Sequence, residues 1–261
     1  MAGYPVRSSQ ALWDEWFLPA TSSTMDWARR LTADPDRAAG AIDAVRVRAG
    51  RQLQGRGRRG APWWDAPGSA ILTTLAIRRD GVWDPGDHNP ASIALRAGLG
   101  VTRTLEAFGV PEVGMKWPND IFLAQRKVCG ILVEADPRWF YIGIGLNISA
   151  PEIPPGIGTG SASAPPGDLS NSLIQTAGVH SVLAVLDQNL AEALHDDAWV
   201  AAVQDRLLWT GCAVRLQQES APDVTGFLKG IDEDGAVLIA DNPAGEPRRY
   251  VVGTLRQGDV S

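Results

Sequence analysis

Hydrophobic and polar positions change period along the chain, and each period predicts an element. Ser23-Thr24-Met25-Asp26 has the Ser/Thr-x-x-acid spacing of a capping box and predicts a helix through about Leu31. Ala44 to Arg48 alternates with period two, as a strand does. Ala70 to Ile77 is an apolar run of β-prone residues. Asn89-Pro90 supplies a cap and a first-turn proline for a helix that runs to about Phe108. Val113 to Trp117, Ile121 to Ala124, Val128 to Glu134 and Phe140 to Leu146 follow as consecutive strands with short turns. Adjacent strands of this kind predict an α+β fold on an antiparallel or mixed sheet rather than a doubly wound one.

Beyond these strands the texture changes twice. Ala150 to Ser170 is dense in Pro, Gly, Ser and Ala and reads as a surface loop. Helical periodicity returns from about Val179 to Leu194 and from Ala198 to Leu208. After Gly211 come short strands at Ala213 to Leu216, Val224 to Ile231, Val237 to Ala240 and Tyr250 to Val252, parted by Gly, Asp and Pro turns. That pattern predicts a small C-terminal β-barrel over 210–261, behind a larger domain over 1–209.

Composition narrows the class. With 44% hydrophobic and 21% charged residues the chain is ordinary for a globular protein. A net charge of −6 counts against non-specific nucleic-acid binding. Cys129 and Cys212 form no metal-ligand pattern and no disulfide framework, Met1 to Val6 lacks the apolar core of a signal peptide, and no apolar run approaches the length of a membrane span. A reducing cytoplasmic setting is expected. No helix-turn-helix fits before Ser23. His88, His180 and His195 are scattered and read as surface or core residues, Cys129 as packing, and Trp13, Trp16 and Trp27 as core.

Two segments carry candidate chemistry. Gly55-Arg56-Gly57-Arg58-Arg59-Gly60 has the G-x-G-x-x-G spacing of a dinucleotide fingerprint, but that fingerprint needs a helix at once, and Pro62, Pro67 and Gly68 break one. An anion clamp fits better: glycines let backbone N–H groups approach a phosphate, arginines add bidentate donors, and Trp63 and Trp64 offer an aromatic plane. A solvated basic turn and a nucleic-acid patch also fit these residues. Only three of the 24 basic residues are lysines, and Lys116 and Lys127 fall in one short stretch. There Pro118 and Asn119 turn the chain between strands, so a hairpin can gather Lys116, Asp120 and Lys127 at one end of the sheet. Such a group can bind an anion and host a base; it can equally be an exposed hairpin with a surface ion pair.

Taken in order, Ser23-Thr24, the Gly55 to Gly60 loop with a Trp soon after, Lys116-Trp117-Pro118-Asn119-Asp120, Arg126-Lys127 before Gly130-Ile131-Leu132, and Gly143 to Asn147 resemble the catalytic core of biotin–protein ligases. The resemblance is strong from about Thr21 to Ile148 and weak through the C-terminal segment. It implies a class II aminoacyl-tRNA-synthetase-like catalytic domain with an SH3-like barrel. It also implies a two-step reaction, in which biotin and ATP with Mg²⁺ give biotinyl-AMP and a lysine of a biotin carboxyl carrier domain, such as that of acetyl-CoA carboxylase, then takes the biotin. By the same resemblance Ser23, Thr24, Gln52, Arg56, Lys127 and Gly130 are biotin-binding. Arg56, Gly57, Arg58, Arg59, Gly60, Trp63, Asn119 and Asn147 hold the nucleotide or adenylate. Arg58, Lys116, Asp120 and Lys127 are catalytic, with Asp120 orienting or deprotonating the incoming lysine. Metal ligands are not identified; no DNA or membrane partner is implied, and the chain is expected as a monomer or homodimer. Three departures from the family stand out: Met25 stands where Asn is usual, Leu53 and Gln54 replace small residues before the loop, and Ala61-Pro62 replaces a basic residue after it. A lipoyl ligase on the same scaffold and a non-catalytic biotin- or carrier-binding protein are the alternatives.

Overall fold

The computed structural model describes residues 4–6, 12–34, 43–65, 67–86, 89–149, 166–170 and 172–258. Strands β1 (Tyr4–Val6), β2 (Asp14–Leu18), β3 (Ala44–Ala49), β4 (Ala70–Arg78), β5 (Val113–Lys116), β6 (Asp120–Leu123), β7 (Arg126–Ala135) and β8 (Trp139–Asn147) form one sheet in the order β1-β2-β3-β4-β8-β7-β6-β5. β2 and β3 pair in parallel and the other neighbours are antiparallel, so the sheet is mixed, as expected. Helices α1 (Thr24–Thr32), α2 (Pro90–Ala107), α3 (Ile174–Ala177), α4 (Val179–Leu194) and α5 (Trp199–Gln204) accompany it. A second, antiparallel sheet follows, with β9 (Ala213–Gln217), β10 (Val224–Ile231), β11 (Val237–Ala240), β12 (Arg248–Tyr250) and β13 (Thr254–Gln257) in the order β12-β11-β10-β9-β13. β12 and β13 stand at opposite ends of that order, so the ladder is an open sheet rather than a hydrogen-bonded closed barrel among the described residues. No helix among these residues is long and apolar enough to cross a membrane.

Strand alternation gives the large sheet two unlike faces. Phe140, Ile142, Ile144 and Leu146 of β8 join Ile93 and Leu99 of α2 and Leu186 of α4 in the main core. On the opposite face, Met25, Ala28 and Leu31 of α1 pack with Val45, Val47, Ala76 and Tyr141. Gly143, Gly145 and Asn147 alternate with the β8 core residues, so beside α1 this second face is left without bulky side chains. The cleft described below opens there.

α2 begins as the sequence predicts: Asn89 accepts a 3.0 Å hydrogen bond from the Ala91 N–H, with Pro90 in the first turn. The capping box at Ser23 does not form. Ser23 is the N-cap residue but its side chain makes no cap hydrogen bond, and the Asp26 carboxylate is taken by Arg56 instead. α5 is shorter than the predicted Ala198 to Leu208, because the backbone beyond it pairs with β5: the Met115 N–H donates to Arg206 O and the Leu208 N–H to Met115 O, each at 2.8 Å. The predicted strand at Tyr250 to Val252 lies earlier, at Arg248–Tyr250, and β1, β2 and β13 are additional. The loop predicted over Ala150 to Ser170 falls outside the described residues for 150–165, as does His88. Trp13 is buried, while Trp16 and Trp27 pack half-buried at the edge of the α1 core.

The second sheet is seated on the first through particular contacts. The Trp117 Nε1–H donates to Gly235 O at 2.9 Å, and Asn89 Nδ2 donates to Asp234 O at 2.7 Å. Gly235 has φ +78, and a Cβ there would sit 3.1 Å from the Ser92 backbone at the start of α2. The turn and the close approach both require glycine at this point.

Candidate active site

A cleft of about 440 Å³ runs from α1 across the open face of the large sheet to the edge of the second sheet. That volume suits a small-molecule site. Its residues come from every segment the sequence singled out, and its two ends differ in chemistry.

The end beside α1 is neutral. Ser23 and Thr24 are each 3% exposed and line the cleft. Since Ser23 does not cap the helix, its hydroxyl is uncommitted to α1. The Thr24 N–H donates to Gln52 Oε1 at 2.8 Å, and the Thr24 hydroxyl reaches the same oxygen at 3.1 Å. Behind them the Thr74 hydroxyl lies 2.9 Å from that of Thr24. Met25 is buried beneath this end, its Cε within 3.0 Å of where a Gly143 Cβ would be.

Glycines form the floor. A Cβ on Gly145 would meet the Trp63 indole at 2.7 Å, and one on Gly130 would meet Trp63 and Lys127 at 3.0 Å. Trp63 therefore lies against two bare backbones, with the Lys127 ammonium 5.7 Å from its ring centre. Asn147 borders the same floor; its Nδ2 donates to Gly167 O at 3.0 Å, while Oδ1 is buried with no donor among the described residues.

The far end is charged. The turn at Pro118-Asn119 sets Lys116 opposite Asp120 in the β5–β6 ladder, and Lys127 at the start of β7 reaches Asp120 Oδ1 at 2.5 Å. The hairpin thus gathers all three, as the sequence predicts. Lys116 is only 2% exposed, 5.4 Å from the Phe122 ring centre and 5.8 Å from that of Trp209. Burial pushes its ammonium down to about 8, against the opposing pull of Asp120. Asn119 links hairpin to loop: Nδ2 donates to Ile131 O at 2.6 Å and Oδ1 accepts from Arg58 Nη1 at 3.3 Å.

The Arg/Gly loop is a closed turn. The Gly57 N–H donates to Ala61 O at 2.7 Å, and Arg59, at φ 58, and Gly60, at φ 72, make the left-handed step. Its three arginines point in three directions. Arg56 makes a forked pair with Asp26 at 2.6 and 3.1 Å, which holds that carboxyl below its usual range and ties the loop to α1. Arg58 faces Asn119 and Gly253 O, and burial lowers its pKa. Arg59 pairs with Glu219 of the β9–β10 connection at 2.8 Å.

Thr73 and Thr74 were legible only as two hydroxyls inside an apolar strand. Gln217, Gln218, Glu219, Thr254 and Arg256 had no signal in the sequence; they join the cleft because the second sheet is docked beside it. His180 and His195 are exposed and away from the cleft, and the burial of Cys129 pushes its thiol pKa up. Among the described residues no three His, Cys, Asp or Glu side chains gather as a metal site, and the two carboxylates of the cleft, Asp120 and Glu219, face Lys127 and Arg59. No residue of the chain is assigned to Mg²⁺.

The biotin–[acetyl-CoA-carboxylase] ligase of Mycobacterium tuberculosis is 29% identical over 208 residues, 76% of this chain and 74% of that protein. The enzyme of the same name from Paracoccus denitrificans is 28% identical over 211 residues, 76% of this chain and 85% of that protein. Among solved structures, the biotin protein ligase from Aquifex aeolicus in complex with biotin and ATP superposes with a TM-score of 0.73 at 24% identity, over 94% of this chain and 99% of that one. The model of the biotin/lipoate A/B protein ligase family matches residues 19–149, the stretch that supplies both ends of the cleft apart from its C-terminal border, and the chain belongs to that family.

Proposed function

We propose that this protein is a biotin–protein ligase that activates biotin with ATP and transfers it to a carrier lysine. One observation carries the reading: a neutral, buried hydrogen-bonding end and a cationic end share one cleft, joined by a glycine floor. A fused urea ring suits the first, a triphosphate the second, and the reacting carboxylate and α-phosphorus would meet between them.

In the first step the biotin carboxylate attacks the α-phosphorus and pyrophosphate leaves. Lys127 stands where it can neutralise the carboxylate and then the acyl phosphate, while Arg58 and Lys116 supply positive charge toward the phosphates. Arg56 acts mainly by clasping α1, with its backbone toward the ring of the acid. Trp63 provides the aromatic surface for the base, and the free Oδ1 of Asn147 an acceptor for an amino group on the nucleotide side. Mg²⁺ would come as part of the ATP substrate and offset some of the triphosphate charge. In the second step the carrier amine attacks the acyl carbonyl and AMP departs. The amine must first lose a proton, and Asp120 is the carboxylate positioned to take it once Lys127 has turned to the acyl phosphate. Most of the acceleration comes from positioning and charge stabilisation. The reading includes a carrier domain as partner, a cytoplasmic setting and no DNA ligand, with residues 1–209 and 210–261 as its two domains.

The test is pyrophosphate release from ATP with biotin or with lipoate, followed by transfer of labelled biotin to a carrier domain. Release and transfer with biotin are expected; activity with lipoate alone overturns the reading.

A further inference from the structure

We infer that Thr74, a residue of the central strand β4, is a positioning and specificity-determining residue for the acid substrate, acting through Thr24. The inference rests on the biotin reading and deepens it.

Hydrogen-bond direction decides the case. The Thr24 backbone N–H can only donate, and it lies 2.8 Å from the side-chain amide of Gln52. The atom facing it must therefore be the amide oxygen, which fixes the flip of the Gln52 amide. That oxygen can only accept, so the Thr24 hydroxyl, 3.1 Å away, spends its one proton on it. The remaining contact of the Thr24 hydroxyl, 2.9 Å to Thr74, then has one possible direction: Thr74 donates and Thr24 accepts. The order Thr74 to Thr24 to Gln52 is forced.

Two consequences reach the cleft. Thr24 is left with a single lone pair and no proton to offer, and Gln52 turns its NH₂ group away from Thr24 as a donor. Side by side they present one acceptor and one donor, which matches the N–H and C=O along one edge of a cyclic urea. A dithiolane ring has neither group and would leave both unpaired, which a buried polar site penalises. Thr74 stands in the wall of the cleft but is 0% exposed, its hydroxyl turned to Thr24, so it acts through Thr24 rather than by a contact of its own. It holds the Thr24 hydroxyl in the orientation that makes this pattern, in a strand whose other residues apart from Thr73 and Arg78 are apolar.

The experiment compares wild type, Thr74→Val and Thr74→Ser by pyrophosphate release over a range of biotin at saturating ATP, with thermal melting of each. Thr74→Val raises KM for biotin about fivefold, the size of one hydrogen bond in a buried site, while kcat and KM for ATP hold; Thr74→Ser restores the wild-type KM. An unchanged KM for biotin in Thr74→Val overturns the inference. So does a loss of kcat, ATP affinity and melting temperature together, or a failure of Thr74→Ser to restore KM while melting normally. A wild-type protein active with lipoate and not with biotin overturns the biotin reading and this inference with it. Activity with biotin that is indifferent to Thr74 overturns the inference alone.

Discussion

At the acid end of the cleft, Thr24, Gln52 and Thr74 hold one another by neutral hydrogen bonds of 2.8 to 3.1 Å. At the phosphate end, Lys127 rests on Asp120 and Arg59 on Glu219, whose side chain is 61% exposed. The first end has its polar groups ordered before substrate arrives, and binding adds partners to a fixed pattern. The second holds two of its cations, Lys127 and Arg59, on carboxylates, so on the proposed reading a phosphate would bind there by exchange, taking cations that already have partners. Such exchange is cheap where the pair is exposed, since exposed ion pairs contribute little. It is dearer at Asp120, which is more deeply set. On the proposed reading, discrimination between acids would therefore belong to the neutral end, and charge stabilisation to the other.

The largest test of this contrast removes the cation that faces Asp120. Lys127→Ala is expected to lower kcat for pyrophosphate release about a hundredfold to a thousandfold, as loss of one charge-stabilising donor does, with biotin binding by calorimetry much less affected. Equal losses in both would erase the distinction between the ends. A second test uses pH. Lys116 titrates near 8, below the ordinary lysine value, so its ammonium is fully present under more acidic conditions and is lost as pH rises through that value. kcat/KM for ATP should then fall above pH 8 by up to about tenfold per unit, the slope of a single ionisation, while calorimetric affinity for biotin stays level. A parallel fall in biotin affinity would place Lys116 at the wrong end. The smallest effect sharpens the exchange itself. Glu219→Gln frees Arg59 and should lower KM for ATP about twofold to fivefold, the range of an exposed pair. A raised KM would mean that Glu219 assists the nucleotide instead of competing with it.

Much of the cleft was legible in advance because its charged parts lie in compact motifs. Pro118-Asn119 can only turn the chain, and a turn between two strands puts Lys116 opposite Asp120 whatever the rest of the fold does. The helix at Asn89-Pro90 was readable for a similar local reason. The capping box failed because a better partner was available: Asp26 gains a forked charged pair with Arg56, 30 residues away, in place of a backbone hydrogen bond at the helix start. β2 was missed because its five residues include two acids and take their strand character from parallel pairing with β3.

The sequence by itself determined the strand periods that build most of the large sheet and the lysine hairpin. These follow from backbone preference and side-chain spacing within a few residues. Only the tertiary structure decided which carboxylate each cation meets, that Thr74 stands behind Thr24 across 50 residues, and that Gly253 and Thr254 reach the loop across 195. Contacts of that span depend on how α1, the large sheet and the second sheet pack against one another, and no local pattern specifies the packing.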